Sequence, residues 1–254
     1  MRKSLVVTTI LALLILLAVA PPQTQGAGSL SGQVICLDPG HGGSADPGAV
    51  YDDGTIYLEE ADINLDVAYG LKALLKADGA EVVMTRTTNE EYLTNSDRYT
   101  FANEERADIL VSIHTNSVSR NATTVDGSMA LYFNKDDKVL AQAIYGEMYP
   151  YLSDTAPEDV LFRDWGVRTF SSGVLMKSDM PAAMMEPLCM SHPEEARLLV
   201  AEIKDITNPK KPKCRRAQIA QAIYQGIVSY YEGGGDDDGG AGPPGSGPPV
   251  GTGR

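Results

Sequence analysis

An α/β fold with a largely parallel sheet is predicted for this chain, on three observations. Short apolar runs at 33–37, 80–85, 108–114 and 182–186 have the length and content of strands buried on both faces. Segments of helical periodicity separate these runs, so successive strands connect through crossovers, which are right-handed in such folds. Hydrophobic residues make up 43% of the 254, enough to fill a large core.

Taken in order, the chain opens with Met1-Arg2-Lys3 and a continuous apolar run from Leu5 to Ala20, the basic head and hydrophobic body of an export signal. The run is shorter than the roughly 20 residues of a spanning helix, so a cleaved signal over 1–27 is expected rather than an anchor. Ala18-Val19-Ala20 has the small-residue spacing of a cleavage site, but Pro21 follows it, which leaves a site near Ala27 as the competing choice. A spacer over 28–32 leads into a folded domain at 33–232.

The first strand runs into "VICLDPGHGG" (34–43), so His41 stands at a strand end among glycines. The 3.6-residue spacing of Ile63, Val67, Leu71, Leu74 and Leu75 predicts a helix over Glu60–Ala77, stopped by Asp78-Gly79. A second helix is expected from Ser96, as its cap, to Arg106, and others over 136–149, 193–205 and 215–231. "VDGSMALYF" (125–133) reads as a turn followed by a strand. From Gly233 the composition has almost nothing to bury, so 233–254 is expected to be a disordered tail of Gly, Pro and Asp.

The formal charge of -13 excludes nucleic acid as a partner, because phosphate binding needs clustered Lys and Arg. Three cysteines permit at most one disulfide. Cys36 and Cys189 lie in apolar stretches and read as small buried hydrophobes; Cys214, in "KPKCRR", reads as an exposed, inert thiol.

Four polar groups interrupt or end apolar elements: His41, His114 at the end of "ADILVSIHTN", Glu186 at the end of "PAAMMEP", and Glu60 at the start of the long helix. Parallel strands put their carboxyl ends on one edge of a sheet, where the two histidines can meet, and a helix following the first strand can bring a carboxylate to the same edge. Two imidazoles and a carboxylate around an open position form the ligand set of a catalytic zinc. Glu59 is as well placed by periodicity as Glu60. Glu186, set among Ala, Met and Pro, is the candidate base, since burial raises a carboxyl toward a working pKa. Each group alone has an ordinary structural reading, and His192 reads as a cap or surface residue ahead of a helix.

Several blocks in order join these residues: "DPGHGGSADPGA" (38–49), "EADINLDVA" (60–68), "TRTTN" (85–89), Arg98 with Ala102 and Asn103, "ADILVSIHTNS" (107–117) and "MPAAMMEPLCMSHPEE" (180–195). Over about 33–230 the chain resembles the zinc-dependent N-acetylmuramoyl-L-alanine amidases that cut peptidoglycan. The resemblance implies one domain with a twisted, mostly parallel sheet flanked by helices on both faces. It also implies one zinc ion held by His41, Glu60 and His114, with Glu186 as the catalytic glutamate, and it selects Glu60 over Glu59. Asp38, Arg98, Asn103 and Asn116 are candidates for orienting ligands or strands. Peptidoglycan is the implied partner of an exported monomer in the cell envelope or outside it, with no membrane span once the signal is removed.

Two departures stand out: His192 where the family commonly has Asn, and "NPKKPKCRR" as a short insertion. The stretch from Phe133 to Asp164 is too short for the extra inhibitory helix of some relatives, which implies an open groove. The rival readings are another exported zinc amidohydrolase acting on stem peptides and a wall-binding module of the same fold without activity.

Overall fold

The computed structural model describes residues 28–118, 124–201 and 214–233. The expected export signal and nearly all of the expected tail therefore lie outside the described residues, as does most of the expected insertion.

Six strands form the main sheet: β1 (Val34–Pro39), β4 (Glu81–Met84), β5 (Ile109–Ile113), β6 (Asp126–Tyr132), β7 (Phe162–Thr169) and β8 (Ala182–Glu186). Their order is β4-β1-β5-β8-β6-β7, and every pair is parallel except β6 with β8. A two-stranded antiparallel hairpin, β2 (Val50–Asp52) with β3 (Tyr57–Glu59), stands apart.

Alternation along each central strand sorts the core into two layers. Ile35 and Leu37, Ile109, Val111 and Ile113, and Ala183 and Met185 face one cluster, which also takes the apolar faces of α1 (Glu60–Ala77), α3 (Lys135–Asp154) and α6 (Arg215–Gly233). Cys36, Leu110, Ala182 and Met184 face the other, closed by Ala102 of α2 (Asn95–Glu104) and by Val174 and Leu175 of α4 (Gly173–Lys177). Helices thus cover both faces, as the fold class requires. The same parity puts Asp38, Ser112 and Glu186 on the α2 side, near the carboxyl edge of three neighbouring strands.

The α1 bounds match the periodicity, and Ile63, Val67, Leu71 and Leu75 are buried. Its first turn is capped by a loop rather than by a side chain: Glu60 N donates to Ala49 O (2.9 Å) and Ala61 N to Pro47 O (3.1 Å). That loop is the one descending from His41.

Three expectations need correction, and the reading of His192 is met in one of its two forms. Thr94, not Ser96, caps α2, because Asp97 returns a bond to the Thr94 backbone in a reciprocal capping box. The third helix continues past Pro150 to Asp154, since the buried face through Leu140, Ile144, Met148 and Leu152 outweighs one lost helical bond. His192 does cap α5 (Pro193–Leu199), its Nδ1 accepting from Glu194 N (3.3 Å), but it is buried rather than on the surface. Cys214 is 9% exposed, not an open thiol, because it packs where α6 begins. All three cysteines are free, and burial pushes each thiol up.

Candidate metal centre

The site begins where β1 stops. Gly40 N still donates to Ile113 O (2.8 Å), and the chain then turns through His41 (φ 61°), Gly42 (φ 132°) and Gly43 (φ 73°). A positive φ is cheap for glycine and unfavourable for histidine, so the His41 conformation persists only because its surroundings hold it. A Cβ at Gly40 would overlap the His114 ring, and one at Gly48 would lie 2.7 Å from both Glu60 Oε2 and His41 Cδ2. Glycines at these positions leave room for three side chains to close in.

Those three are His41, Glu60 and His114, each offering a donor atom within 4.8 Å of the others. Glu60 Oε1 lies 3.3 Å from His41 Nε2 and 3.0 Å from His114 Nδ1. The imidazole centroids are 4.9 Å apart with planes at 81°. On its far side His41 Nδ1 meets Asp46 Oδ1 at 2.7 Å. If Nδ1 carries the proton donated to Asp46, Nε2 presents a lone pair toward a carboxylate oxygen. Two acceptors so close require a proton or a cation between them.

Glu60 is anchored from several directions. Oε1 accepts from Thr115 N (3.2 Å) and Asn64 Nδ2 (3.3 Å), and Oε2 accepts from Ala49 N (2.9 Å). Burial pushes its carboxyl up, but the flanking imidazoles of His114 and His41 outweigh that and hold it well below the ordinary range. For His41, burial favours the neutral ring, yet Glu60 and Asp46 together raise it.

Glu186 ends β8 and lines the same cavity, about 370 Å³ in volume, whose walls also include Leu93, Asn95, Phe170 and Ser172. Its Oε2 is enclosed and takes no hydrogen bond among the described residues. Burial raises this carboxyl well above its ordinary value, and the charge of Glu60 adds to the rise. A carboxyl that is costly to ionise and unpaired, beside three converging donors, is placed to accept and return a proton. No residue from 134–164 lines the cavity; that stretch is spent on α3 and its exit loop.

Of the four orienting candidates, two lie directly beneath the His41 turn. Arg98 Nη1 donates to Asp38 Oδ1 (2.8 Å) and Pro39 O (2.8 Å), and Nη2 donates to His41 O (2.8 Å). Asn116 lines the cavity and pairs through its backbone with Cys189. Asn103 does not join them: its side chain binds Lys177 O (3.1 Å) and Asp179 N (2.9 Å), tying α2 to the turn after α4. Sequence reasoning missed Asp46, Asn64 and Thr115. Asn64 carried a readable signal, since it stands four residues after Glu60 on the same helix face.

Residues 35–229 match the family model described as N-acetylmuramoyl-L-alanine amidase. The chain is 30% identical over 201 residues to N-acetylmuramoyl-L-alanine amidase LytC of Bacillus subtilis, covering 79% of this chain and 36% of that protein. It is 29% identical over 222 residues to the germination-specific N-acetylmuramoyl-L-alanine amidase of the same organism, covering 82% and 83%. Among solved structures, an N-acetylmuramoyl-L-alanine amidase from Clostridium difficile 630 aligns with a TM-score of 0.64 at 33% identity, over 79% of this chain and 97% of that one. The amidase AmiC2 of Nostoc punctiforme aligns with a TM-score of 0.65 at 28% identity, over 82% and 99%.

Proposed function

This chain belongs to the N-acetylmuramoyl-L-alanine amidase family, and on that premise we propose that it hydrolyses the amide joining the lactyl group of N-acetylmuramic acid to L-alanine in peptidoglycan, with one zinc ion at His41, Glu60 and His114. The observation that carries the proposal is the convergence of three donor atoms beside the unpartnered carboxyl of Glu186. Two imidazoles and a carboxylate fit zinc by donor type, and with Asp46 on its Nδ1 the His41 ring turns Nε2 toward the Glu60 carboxylate, a position suited to a cation.

Bound zinc supplies Lewis acidity toward the scissile carbonyl and toward water. The remaining work falls to the chain. Asp46 fixes the His41 tautomer from behind, while Thr115 N, Asn64 and Ala49 N hold the Glu60 carboxylate in place. Glu186 takes the proton of the attacking water and returns it to the departing alanine nitrogen, from its place in the cavity beside the three donors. Asn95, Ser172 and the apolar walls at Leu93 and Phe170 face the space the substrate would occupy. An export signal at 1–27 fits a substrate that lies outside the cytoplasmic membrane, and no helix of the described residues is long and apolar enough to cross one.

The test is Glu186→Gln incubated with purified sacculi. Zinc content should stay at that of the wild type while release of free stem peptide drops by at least about 100-fold, the usual scale of general acid–base catalysis. Wild-type rates in this variant would remove Glu186 from the chemistry. Mass analysis of wild-type products showing cleavage within the stem peptide, with the muramoyl amide intact, would replace the substrate bond.

A further inference from the structure

We infer that Arg86 is a positioning residue for the metal centre, its guanidinium tying the turn that carries His41 to the helix start that carries Glu60 and thereby setting the spacing of these two ligands. The inference rests on reading His41, Glu60 and His114 as the ligand set.

Arg86 follows β4 and is completely buried. All five of its N–H donors are engaged, and none of the five acceptors is a carboxylate. Nε donates to Pro39 O (3.0 Å); Nη2 donates to Gly40 O (3.0 Å) and Ala61 O (2.8 Å); Nη1 donates to Thr88 O (3.0 Å) and Asn89 Oδ1 (3.0 Å). Pro39 and Gly40 immediately precede His41, and Ala61 immediately follows Glu60. One planar group therefore grips both ligand-bearing segments at the residue next to each ligand.

The local backbone explains why such a grip is needed. His41 sits at φ 61°, so the turn departs from strand geometry and its carbonyls lose ladder partners. Arginines replace them: Pro39 O accepts from both Arg86 and Arg98, Gly40 O from Arg86 and Asn64, and His41 O from Arg98. The grip extends outward through Asn89, whose side chain also binds Asp62 and whose carbonyl accepts from Gly43 N (2.7 Å). Arg98 braces the turn against β1 and α2. Arg86 alone among these arginines reaches the α1 backbone.

Arg86→Lys keeps a positive charge and loses the planar fork, so it separates geometry from charge. Three quantities are measured on the purified full chain: zinc affinity by competition of metal-free protein with a chromogenic chelator, the visible bands of the cobalt(II)-substituted protein, and the melting temperature without metal. Zinc affinity should fall by at least about 10-fold, the scale of losing a group that orients a ligand, with shifted cobalt bands in protein that remains folded. Affinity within twofold of wild type and unchanged bands would overturn the inference, even if melting fell, because Arg86 would then serve only the fold. Should the lysine variant not fold, Asn89→Ala removes one of the five acceptors and keeps the guanidinium. A weakened zinc affinity there supports the inference, and one within twofold of wild type overturns it. Wild-type protein that binds zinc but frees no stem peptide overturns the proposed substrate bond and leaves the Arg86 result standing; wild-type protein without zinc affinity overturns both.

Discussion

Two buried charge clusters lie at different parts of the sheet, and they differ in arithmetic. Beneath the His41 turn, Asp38 pairs with Arg98 at 2.8 Å, both nearly sealed from solvent, and the Arg86 charge lies close enough to interact with the same carboxylate. The remaining valences of Asp38 are satisfied by Thr85 Oγ1 (2.7 Å) and Ser112 Oγ (2.7 Å). Where β6, α5 and α6 meet, one guanidinium pairs with one carboxyl while a second carboxyl, Asp126, lies within reach of its charge. Arg215 forks onto Glu195 through Nε to Oε2 and Nη2 to Oε1, each 2.7 Å. Asp126 beside them accepts from Cys189 N (2.7 Å) and Gly127 N (2.8 Å) through Oδ1. Its Oδ2 takes no hydrogen bond among the described residues, and its charge adds to the upward push on Glu195, so a proton between the two carboxyls is expected.

The difference teaches that charge stoichiometry, more than burial, decides which way a buried carboxyl titrates. Burial pushes Asp38 up, yet the Arg98 charge and three hydrogen bonds outweigh it and the group ends below its ordinary 3.8. In the second cluster burial also acts upward, and a single Arg215 cannot offset two carboxyls. Glu195 is pushed from 4.5 up to about 7 and Asp126 is raised as well. The first cluster is an ion pair under the His41 turn; the second favours a bound proton near neutral pH.

The hardest way to break this contrast is Asp38→Asn. It leaves Arg98 buried without a counter-charge, and unfolding in urea at pH 7 should show a loss of about 3–5 kcal/mol. A loss below about 1 kcal/mol would mean that the pair contributes no more than the backbone bonds around it.

The pH dependence comes next, and the two clusters act with opposite sign. A raised Glu195 binds its proton more tightly in the folded state, so its contribution is complete below about pH 4.5 and is lost as pH rises toward about 7. A depressed Asp38 contributes above its unfolded value of 3.8 and loses that contribution as pH falls through its lower folded value. Metal-free protein melted across pH 4 to pH 8 should therefore lose stability between about pH 5 and pH 7; the raised Glu186, Asp126 and His41 act in the same direction, and Glu195→Gln should remove only the part of the slope that belongs to Glu195, at most about 1.4 kcal/mol per pH unit. A stability that rises steadily over that window would contradict the shared proton.

Asp126→Asn gives the smallest effect and sharpens the comparison most. The amide keeps an oxygen for Cys189 N and Gly127 N and can donate to Glu195, so the proton becomes unnecessary. At pH 8 the variant should equal the wild type or exceed it by about 1 kcal/mol, and the pH slope should flatten. The same Asp-to-Asn change would then be damaging at one cluster and harmless at the other. Equal losses at both would show that stoichiometry is not the deciding variable.

How much was legible in advance varied by element. The continuous apolar runs of β1, β5 and β8, buried along nearly their whole length, and the 3.6 repeat of α1 are local patterns, and the strands and helix they predicted are present within a residue or two. The Thr94 cap was missed because Thr94 and Ser96 both suit the role and the reciprocal partner is Asp97 rather than the usual Glu or Gln. The hairpin β2 with β3 has three-residue strands, and α4 has five residues, too short for periodicity to register. β7, "FRDWGVRT", is a largely solvated edge whose charges mask it as a loop. At the site, His41, His114 and Glu186 were visible as polar breaks in apolar runs, whereas Asp46 and Arg86 stood inside quoted blocks with no role assigned, because their partners lie on other segments. Asn103 was assigned to the wrong neighbourhood because position in a block says nothing of where a side chain reaches.

By itself, then, the sequence determined the central strands and long helices of this protein and the polar residues at their ends, since periodicity and turn chemistry act within a few residues of chain. Only the tertiary structure decided the strand order, the reversed direction of β6 and β7 against β8, the meeting of His41, Glu60 and His114, and the grouping of two carboxyls with one arginine. Those outcomes depend on which elements pack as neighbours, and a charge pair or a ligand set spans segments whose separation along the chain leaves no periodic trace.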